Sequence, residues 1–232
     1  MMTVLATMSK YEAYKDSGVD WLGEVPAHWD ITRLGTRFNE RRTKVSDKDF
    51  MPLSVTKRGI LPQLANAAKS NDGDNRKLVR CGDFVINSRS DRKGSSGVSD
   101  RDGSVSLINI VITPNGINPN YCQYLLKNYN FIEEFYRMGH GIVADLWTTR
   151  YDEMKSVILG IPSIKEQTTI ANFLDKKIAQ IDEAIAIKQK QIELLKERKQ
   201  IIIQKAVTQG LDPIVPMCDS GYEWLGEIPA HW

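Results

Sequence analysis

With only three histidines and three cysteines in 232 residues, the chain has little with which to hold a metal ion. Cys81, Cys122 and Cys218 stand far apart, with no CxxC and no Cys/His pairing. Neither a zinc site nor a disulfide framework is indicated, and reduced thiols in a cytoplasmic protein are expected. No apolar run approaches the roughly 20 residues of a membrane span, so no membrane partner is expected. Residues 1–10 lack the charged start and apolar stretch of a signal peptide. There is no GxxxxGK(S/T) phosphate loop, no Asn/Asp-Pro-Pro-aromatic tetrad and no glycine-rich loop after a strand, so ATP hydrolysis and methyl transfer have no recognisable site. Glu153-Met154-Lys155, with Asp145 or Asp152 upstream, has the outline of a nuclease D…ExK triad. Such a tripeptide arises easily by chance in a chain with 26% charged residues, and no catalysis is expected. An enzyme with an unrecognised active site is the alternative; metal-dependent DNA cleavage by the purified chain would reveal it.

What the chain does have is enough apolar content (41%) for a real core and an uneven charge. The net charge is only +2, yet residues 30–163 carry 20 Lys/Arg against 15 Asp/Glu, a balance of +5. Residues 164–210 add a further +3, and the two end segments, 1–29 and 211–232, are acidic. A basic middle favours a polyanionic partner.

The chain also repeats itself. Asp16-Ser17-Gly18-Val19-Asp20-Trp21-Leu22-Gly23-Glu24-Val25-Pro26-Ala27-His28-Trp29 returns, 203 residues later, as residues 219–232, with 11 of 14 positions identical. The three changes are Val19/Tyr222, Asp20/Glu223 and Val25/Ile228. So long an offset excludes a solenoid of 20–50-residue repeats and has the size of a domain plus a connector. One unit of a two-unit protein is expected, cut just after its second unit opens.

Residues 163–209 predict one long helix. Ser163 and Glu166 form a candidate capping box, and no proline or glycine follows until Gly210, a suitable C′ residue. One heptad position reads Ala171, Ile178, Ile185, Ile192, Lys199 and Ala206; its partner reads Leu174, Ile181, Lys188, Leu195 and Ile202. This strict spacing predicts a coiled-coil seam interrupted by Lys188 and Lys199, on a rod on the order of 68 Å. Its dimerisation residues are expected to be Leu174, Ile178, Ile181, Ile185, Lys188, Ile192, Leu195, Lys199 and Ile202.

Residues 30–162 read as a mixed, mainly antiparallel α+β domain. β-leaning runs fall at 51–56, 77–80, 84–87, 105–113 and 155–161, with a turn at Asn115-Gly116 and a single helix over 119–138. The candidate DNA contacts lie between these elements. The loop 88–97 brings Ser88, Arg89, Arg92, Lys93 and Ser95 together with glycines, a composition suited to close approach to phosphates and to presenting arginine to a guanine edge. Arg101 lies just beyond. The loop 139–150 adds His140, Thr148 and Arg150. Lys57, Arg58, Arg76 and Lys77 are expected at turns, as surface cations.

Taken together, these residues carry a family resemblance. Asp-Ser-Gly-x-x-Trp-Leu-Gly-x-x-Pro-x-His-Trp, in both copies, resembles the segment opening each half of type I restriction–modification specificity subunits. Ile161-Pro162-Ser163-Ile164-Lys165-Glu166-Gln167, followed by Ile170-Ala171-x-Phe173-Leu174-Asp175, is similar to the start of that family's conserved region. Ile181-Asp182 and Lys205-Ala206-Val207-Thr208-Gln209-Gly210-Leu211-Asp212 resemble its long-helix landmarks. Gly82-Asp83-Phe84-Val85 resembles a motif of its target-recognition domain.

The resemblance implies a DNA-sequence reader with no chemistry or cofactor of its own. It would dock methylation subunits, which carry S-adenosylmethionine, and through them restriction subunits driven by ATP with Mg. It also implies a target-recognition domain over 1–162, a conserved helix over 163–210 and a partial second opening over 211–232. The family has two recognition domains and two long helices that pair within one chain; one of each here implies a half-subunit that homodimerises. The alternative is a regulatory half-subunit that joins the other subunits without productive DNA reading.

Overall fold

The computed structural model describes residues 11–63, 73–141, 147–212 and 214–232. They divide into two compact units, the first ending at Phe173 and the second running from Leu174 to Trp232. The class is α+β, with antiparallel sheets and one long helix.

The first unit is organised by a four-stranded antiparallel sheet in the order Ser96–Val98, Phe84–Asn87, Asn109–Pro114, Phe38–Glu40. Ile110 lies opposite Ile86, Val111 opposite Val85 and Ile112 opposite Phe84. Side chains alternate across a strand, and here both faces are buried. Phe84, Ile86, Ile110 and Ile112 enter one core cluster, whereas Val85 and Val111 enter another. A strand covered on both faces reads as an unbroken apolar run, which is what 84–86 and 110–112 are.

The larger core is closed by the helices α1 (Pro119–Lys127) and α2 (Tyr129–Arg137). They bring in Tyr121, Cys122, Leu126, Phe131, Phe135 and Tyr136. The smaller core lies against the hairpin Leu53–Thr56/Gly59–Pro62 and the three-stranded sheet Gly103–Val105, Arg76–Val79, Lys44–Val45. After the short α3 (Tyr151–Met154), the strand Ile158–Ile161 pairs with Asp30–Arg33 and leads into α4 (Ile164–Gln209), 46 residues long. Gly210 follows with φ +77°, the left-handed C′ conformation expected of it.

Three local expectations need correction. The helix predicted over 119–138 is two helices, because Asn128 is extended and its side chain accepts from the Phe131 amide at 2.8 Å; an asparagine that can cap a helix competes with continuing one. The strand predicted over 105–113 is broken at 106–108, and its halves belong to different sheets. Arg76 and Lys77 sit inside a strand instead of at a turn, and Arg76 is buried. Its Nε and Nη2 donate to Ser104 Oγ (2.8 Å) and Ser104 O (3.0 Å), and burial pushes its guanidinium down from the ordinary value.

The Gly82-Asp83-Phe84-Val85 motif has a structural explanation. Gly82 adopts φ +89°, open to glycine at little cost. Asp83 is 2% exposed and takes a bidentate grip from Arg41 (Nε 2.6 Å, Nη2 3.0 Å), with further donations from Thr113 Oγ1 (2.9 Å) and the Arg80 amide (2.8 Å). Removing one side of a buried pair strands the other. Asp83→Ala is therefore expected to lower unfolding stability by about 2–4 kcal/mol, the Arg41 end being partly solvated. Denaturant titration would measure it, and a loss below about 0.5 kcal/mol would contradict the account.

Candidate nucleic-acid interface

The strand Phe84–Asn87 ends at the loop 88–97, and the chain returns beside it at residues 147–150. Backbone bonds join the two segments: Ser90 N–H donates to Trp147 O (2.9 Å) and Thr149 N–H to Ser88 O (3.0 Å). Thr148 bridges to both Arg89 and His140, exchanging two backbone bonds with His140 (3.2 and 3.1 Å). The buried Thr149 anchors this junction by donating its hydroxyl to Phe135 O at 2.9 Å. Two loops far apart in sequence thus become one surface. Residues 142–146, including Asp145, lie outside the described residues.

Beside the junction is a cleft of about 290 Å³. Lys77, Ser88, Thr148 and Arg150 line it, with Glu40, Arg42, Leu107, Ile108, Ile110, Thr149, Tyr151 and Asp152. Four predicted contacts therefore line one cleft, Ser88 among them from a buried position, and Arg89 and His140 adjoin it through Thr148. Arg42 was not among the predicted residues; its signal was the Arg41-Arg42 pair, of which Arg41 turns to Asp83 and Arg42 stays exposed.

The remaining predicted contacts lie elsewhere. Lys57 and Arg58 are exposed at the turn between Leu53–Thr56 and Gly59–Pro62. Ser95 is buried. Arg92 and Lys93 stay on the loop 88–97, and Arg101 is exposed and paired with Asp100 at 2.7 Å.

Charge around the cleft is locally balanced. Arg89 faces Asp91 (3.2 Å), which also takes Arg92 (3.8 Å); Lys93 meets Glu133 on α2 (2.6 Å). Lys77 and Arg42 share Glu40. The pairs of Arg89, Arg92 and Lys93 are exposed and contribute little to stability, so exchanging their carboxylates for a phosphate costs little, whereas Lys77 and Glu40 are largely buried. The ExK tripeptide is structurally occupied: Glu153 accepts from the Arg150 amide (2.7 Å), and Asp152 pairs with Lys155 (2.6 Å). Among the described residues no cluster of His, Cys, Asp and Glu could hold a metal ion.

A second polar constellation seats the opening repeat. Ser163 Oγ accepts from the Glu166 amide at 3.3 Å, half of the expected capping box. The Glu166 carboxylate, however, leaves the helix end and accepts from Tyr11 Oη (2.6 Å), His28 Nε2 (2.9 Å) and Trp29 Nε1 (3.0 Å). An ionised carboxylate only accepts, so His28 carries its proton on Nε2. Gln167, 1% exposed, accepts from the Asn118 amide (2.8 Å) and donates to Pro162 O (2.9 Å). The Glu-Gln pair thus ties the start of α4 to both the opening hairpin and the cap of α1.

In the second unit, α4 presents Ile178, Ile181, Ile185, Ile192, Leu195 and Ile202 exposed, with Lys188 and Lys199 among them. Ile187, Leu194 and Ile201 form a further exposed row at heptad spacing. It lies off the predicted seam, which is why a search for a single seam passes over it.

Burial raises the Glu166 carboxyl, but the Tyr11, His28 and Trp29 donors outweigh it and hold the group below the ordinary carboxylate range. The bond to Glu166 in turn pushes Tyr11 up to about 12. A carboxyl depressed by folding stabilises above its unfolded pKa of about 4.3, and that contribution is lost as pH falls through the lower folded value. Hydrogen-exchange protection of the Ala27 amide, bonded to Ala13 O, is therefore expected to drop in that acid window. Glu166→Gln should weaken protection at neutral pH and abolish the acid step; an unchanged step would assign it to another group.

No protein-family model matches the chain. A curated relative from Methanocaldococcus jannaschii, named as the putative specificity subunit of the type I restriction enzyme MjaX, is 22% identical over 254 aligned residues, covering 100% of this chain and 56% of that protein. The chain thus spans about half the length of the curated relative it matches. Among solved structures, a chain from a study of assembly and conformational transition in a type I R-M system aligns with TM-score 0.58 and 18% identity, over 85% of this chain and 49% of that one. The HsdS subunit of Thermoanaerobacter tengcongensis aligns with TM-score 0.50 and 18% identity, over 86% and 49%. These structures establish the shared fold. The chain is therefore similar to type I restriction–modification specificity subunits, in sequence along its whole length to one of them and in fold to the solved structures.

Proposed function

We propose that the chain is a non-catalytic, sequence-specific reader of double-stranded DNA within a type I restriction–modification complex. The observation that carries this reading is the junction at Thr148, where Arg89 and His140 meet beside a cleft lined by Lys77, Ser88, Arg150 and Arg42. In this reading the cleft residues approach base edges, and the outlying cations Lys57, Arg58, Arg92, Lys93 and Arg101 contact phosphates. Methylation and restriction subunits are the proposed partners, and S-adenosylmethionine, ATP and Mg belong to them. The exposed apolar row Ile187, Leu194 and Ile201 supports docking of a further helix beyond the seam.

Replacing Arg89, Arg92 and Lys93 together with alanine should weaken DNA binding and flatten its salt dependence, by roughly 0.9 in slope for each phosphate left without its cation. Affinity measured across a salt series checks this. An unchanged affinity and slope would remove the loop from the interface.

We also propose that α4 pairs antiparallel with α4 of a second copy. The seam would run along Leu174, Ile178, Ile181, Ile185, Ile192, Leu195 and Ile202, with Lys188 and Lys199 setting register at a cost in stability. Two identical readers related by a two-fold axis should recognise an inverted repeat. Ile185→Asp with Ile192→Asp should give monomers in sedimentation; a parent chain already monomeric at tens of micromolar would end this model.

A further inference from the structure

The fourteen-residue repeat is also a repeat in three dimensions. In the first copy Tyr14, Lys15 and Asp16 pair with Pro26, Val25 and Glu24; in the second, Met217, Cys218 and Asp219 pair with Pro229, Ile228 and Glu227, the same register displaced by 203. The turn is the same as well. The Ser17 and Ser220 amides each donate to the glycine carbonyl six residues on, both at 3.0 Å, and the Gly18 and Gly221 amides donate to Asp16 and Asp219 Oδ1 at 2.9 and 3.0 Å. The glycines take matching positive φ, 75° and 79°, then 64° and 66°.

The two hairpins differ in what covers them. The first is seated on its own unit: Trp21 stands edge-on to Phe131, with centroids 6.4 Å apart, and Val25 is buried. His28 and Trp29 donate to Glu166. Gly160 makes room for it, since a Cβ there would lie 3.1 Å from Val25 and 3.2 Å from Trp29. In the second hairpin the corresponding Trp224 is 80% exposed and Trp232 59%. Among the described residues no carboxylate meets His231 or Trp232.

We propose that the hairpin Met217–Pro229, with His231 and Trp232, docks in the socket formed by Phe131, Gly160 and Glu166 of a second copy of this chain, exchanging there with that copy's own residues 14–29. The fit follows from the first hairpin. The residues that enter the socket, Trp21, His28 and Trp29, recur unchanged as Trp224, His231 and Trp232, and Val25 becomes Ile228, one methylene larger. One donor is missing: Tyr11, which bonds Glu166, corresponds to Ile214. A charge-assisted hydrogen bond is strong enough that its loss weakens the exchanged form roughly tenfold or more. Exchange is therefore favoured where two copies are held close. The inference does not require the α4 seam, and its test removes that seam.

In a background carrying Ile185→Asp and Ile192→Asp, the full chain with Trp21→Ala, His28→Ala and Trp29→Ala has an emptied socket. Its thermal midpoint should rise with chain concentration, and adding Trp224→Ala and Trp232→Ala should remove that dependence. Tyr11→Phe in an otherwise intact chain should raise the exchanged fraction roughly tenfold. If the emptied-socket chain does not fold, a second measurement decides. With Trp224 replaced by p-benzoylphenylalanine, irradiation of mixed ¹⁵N-labelled and unlabelled chains should join residues flanking Phe131 of one chain to Trp224's position in the other. A midpoint independent of concentration, or cross-links confined to one chain or mapping away from Phe131, would overturn the proposal.

Discussion

The strand Phe84–Asn87 must satisfy two cores at once, and the rest of the first unit is arranged around that demand. Phe84 and Ile86 pack with α1 and α2, while Val85 packs with the hairpin and the three-stranded sheet. A one-residue slip in register would turn every one of these side chains to the wrong core. Register is therefore strongly specified, and so is the point at which the strand stops. Ser88 and Arg89 follow directly, placed by packing behind them and not by any preference of their own loop. Tyr136 reinforces that end by donating its hydroxyl to Asn87 O at 2.7 Å.

Polar groups do the joining between elements. Asp83 gathers Arg41, Thr113 and the Arg80 amide below the sheet. Gln167 links the entrance of α4 to the cap of α1, and Glu166 links it to the opening hairpin. Each is a group with more than one donor or acceptor to satisfy, and each satisfies them with segments remote in sequence. The motifs that resemble those of type I specificity subunits are in this sense the fasteners of the unit. The proposed reading surface is built from a different set, the segments 88–95, 139–141 and 147–150, which rest on that scaffold.

The basic balance of the middle segment also changes meaning in three dimensions. Much of its positive charge is locally answered: Arg89 and Arg92 by Asp91, Lys93 by Glu133, Arg101 by Asp100, Lys155 by Asp152. Arg76 is withdrawn into the interior. In the proposed reading, phosphates compete with these weakly held pairs, and affinity follows ionic strength more than net charge.

The bounds of α4 were legible in the sequence because caps and breakers act over a few residues: Ser163 at one end, Gly210 at the other, and no glycine or proline between. The repeat, the heptad pattern and the apolar strand at 84–87 were legible for the same reason, as was the α+β class. Where local chemistry allowed two outcomes, sequence alone chose the simpler one and missed the breaks at Asn128 and at 106–108. Tertiary structure alone decided that the two candidate loops meet at Thr148, that Arg76 faces inward, and that Arg42 joins the cleft. It also decided the fate of Glu166, whose backbone keeps its bond to Ser163 while its carboxylate turns to donors as far as 155 residues away. The reason is one of range: periodicity and capping are settled among neighbours in the chain, whereas a charged group takes the best set of partners that packing brings within reach.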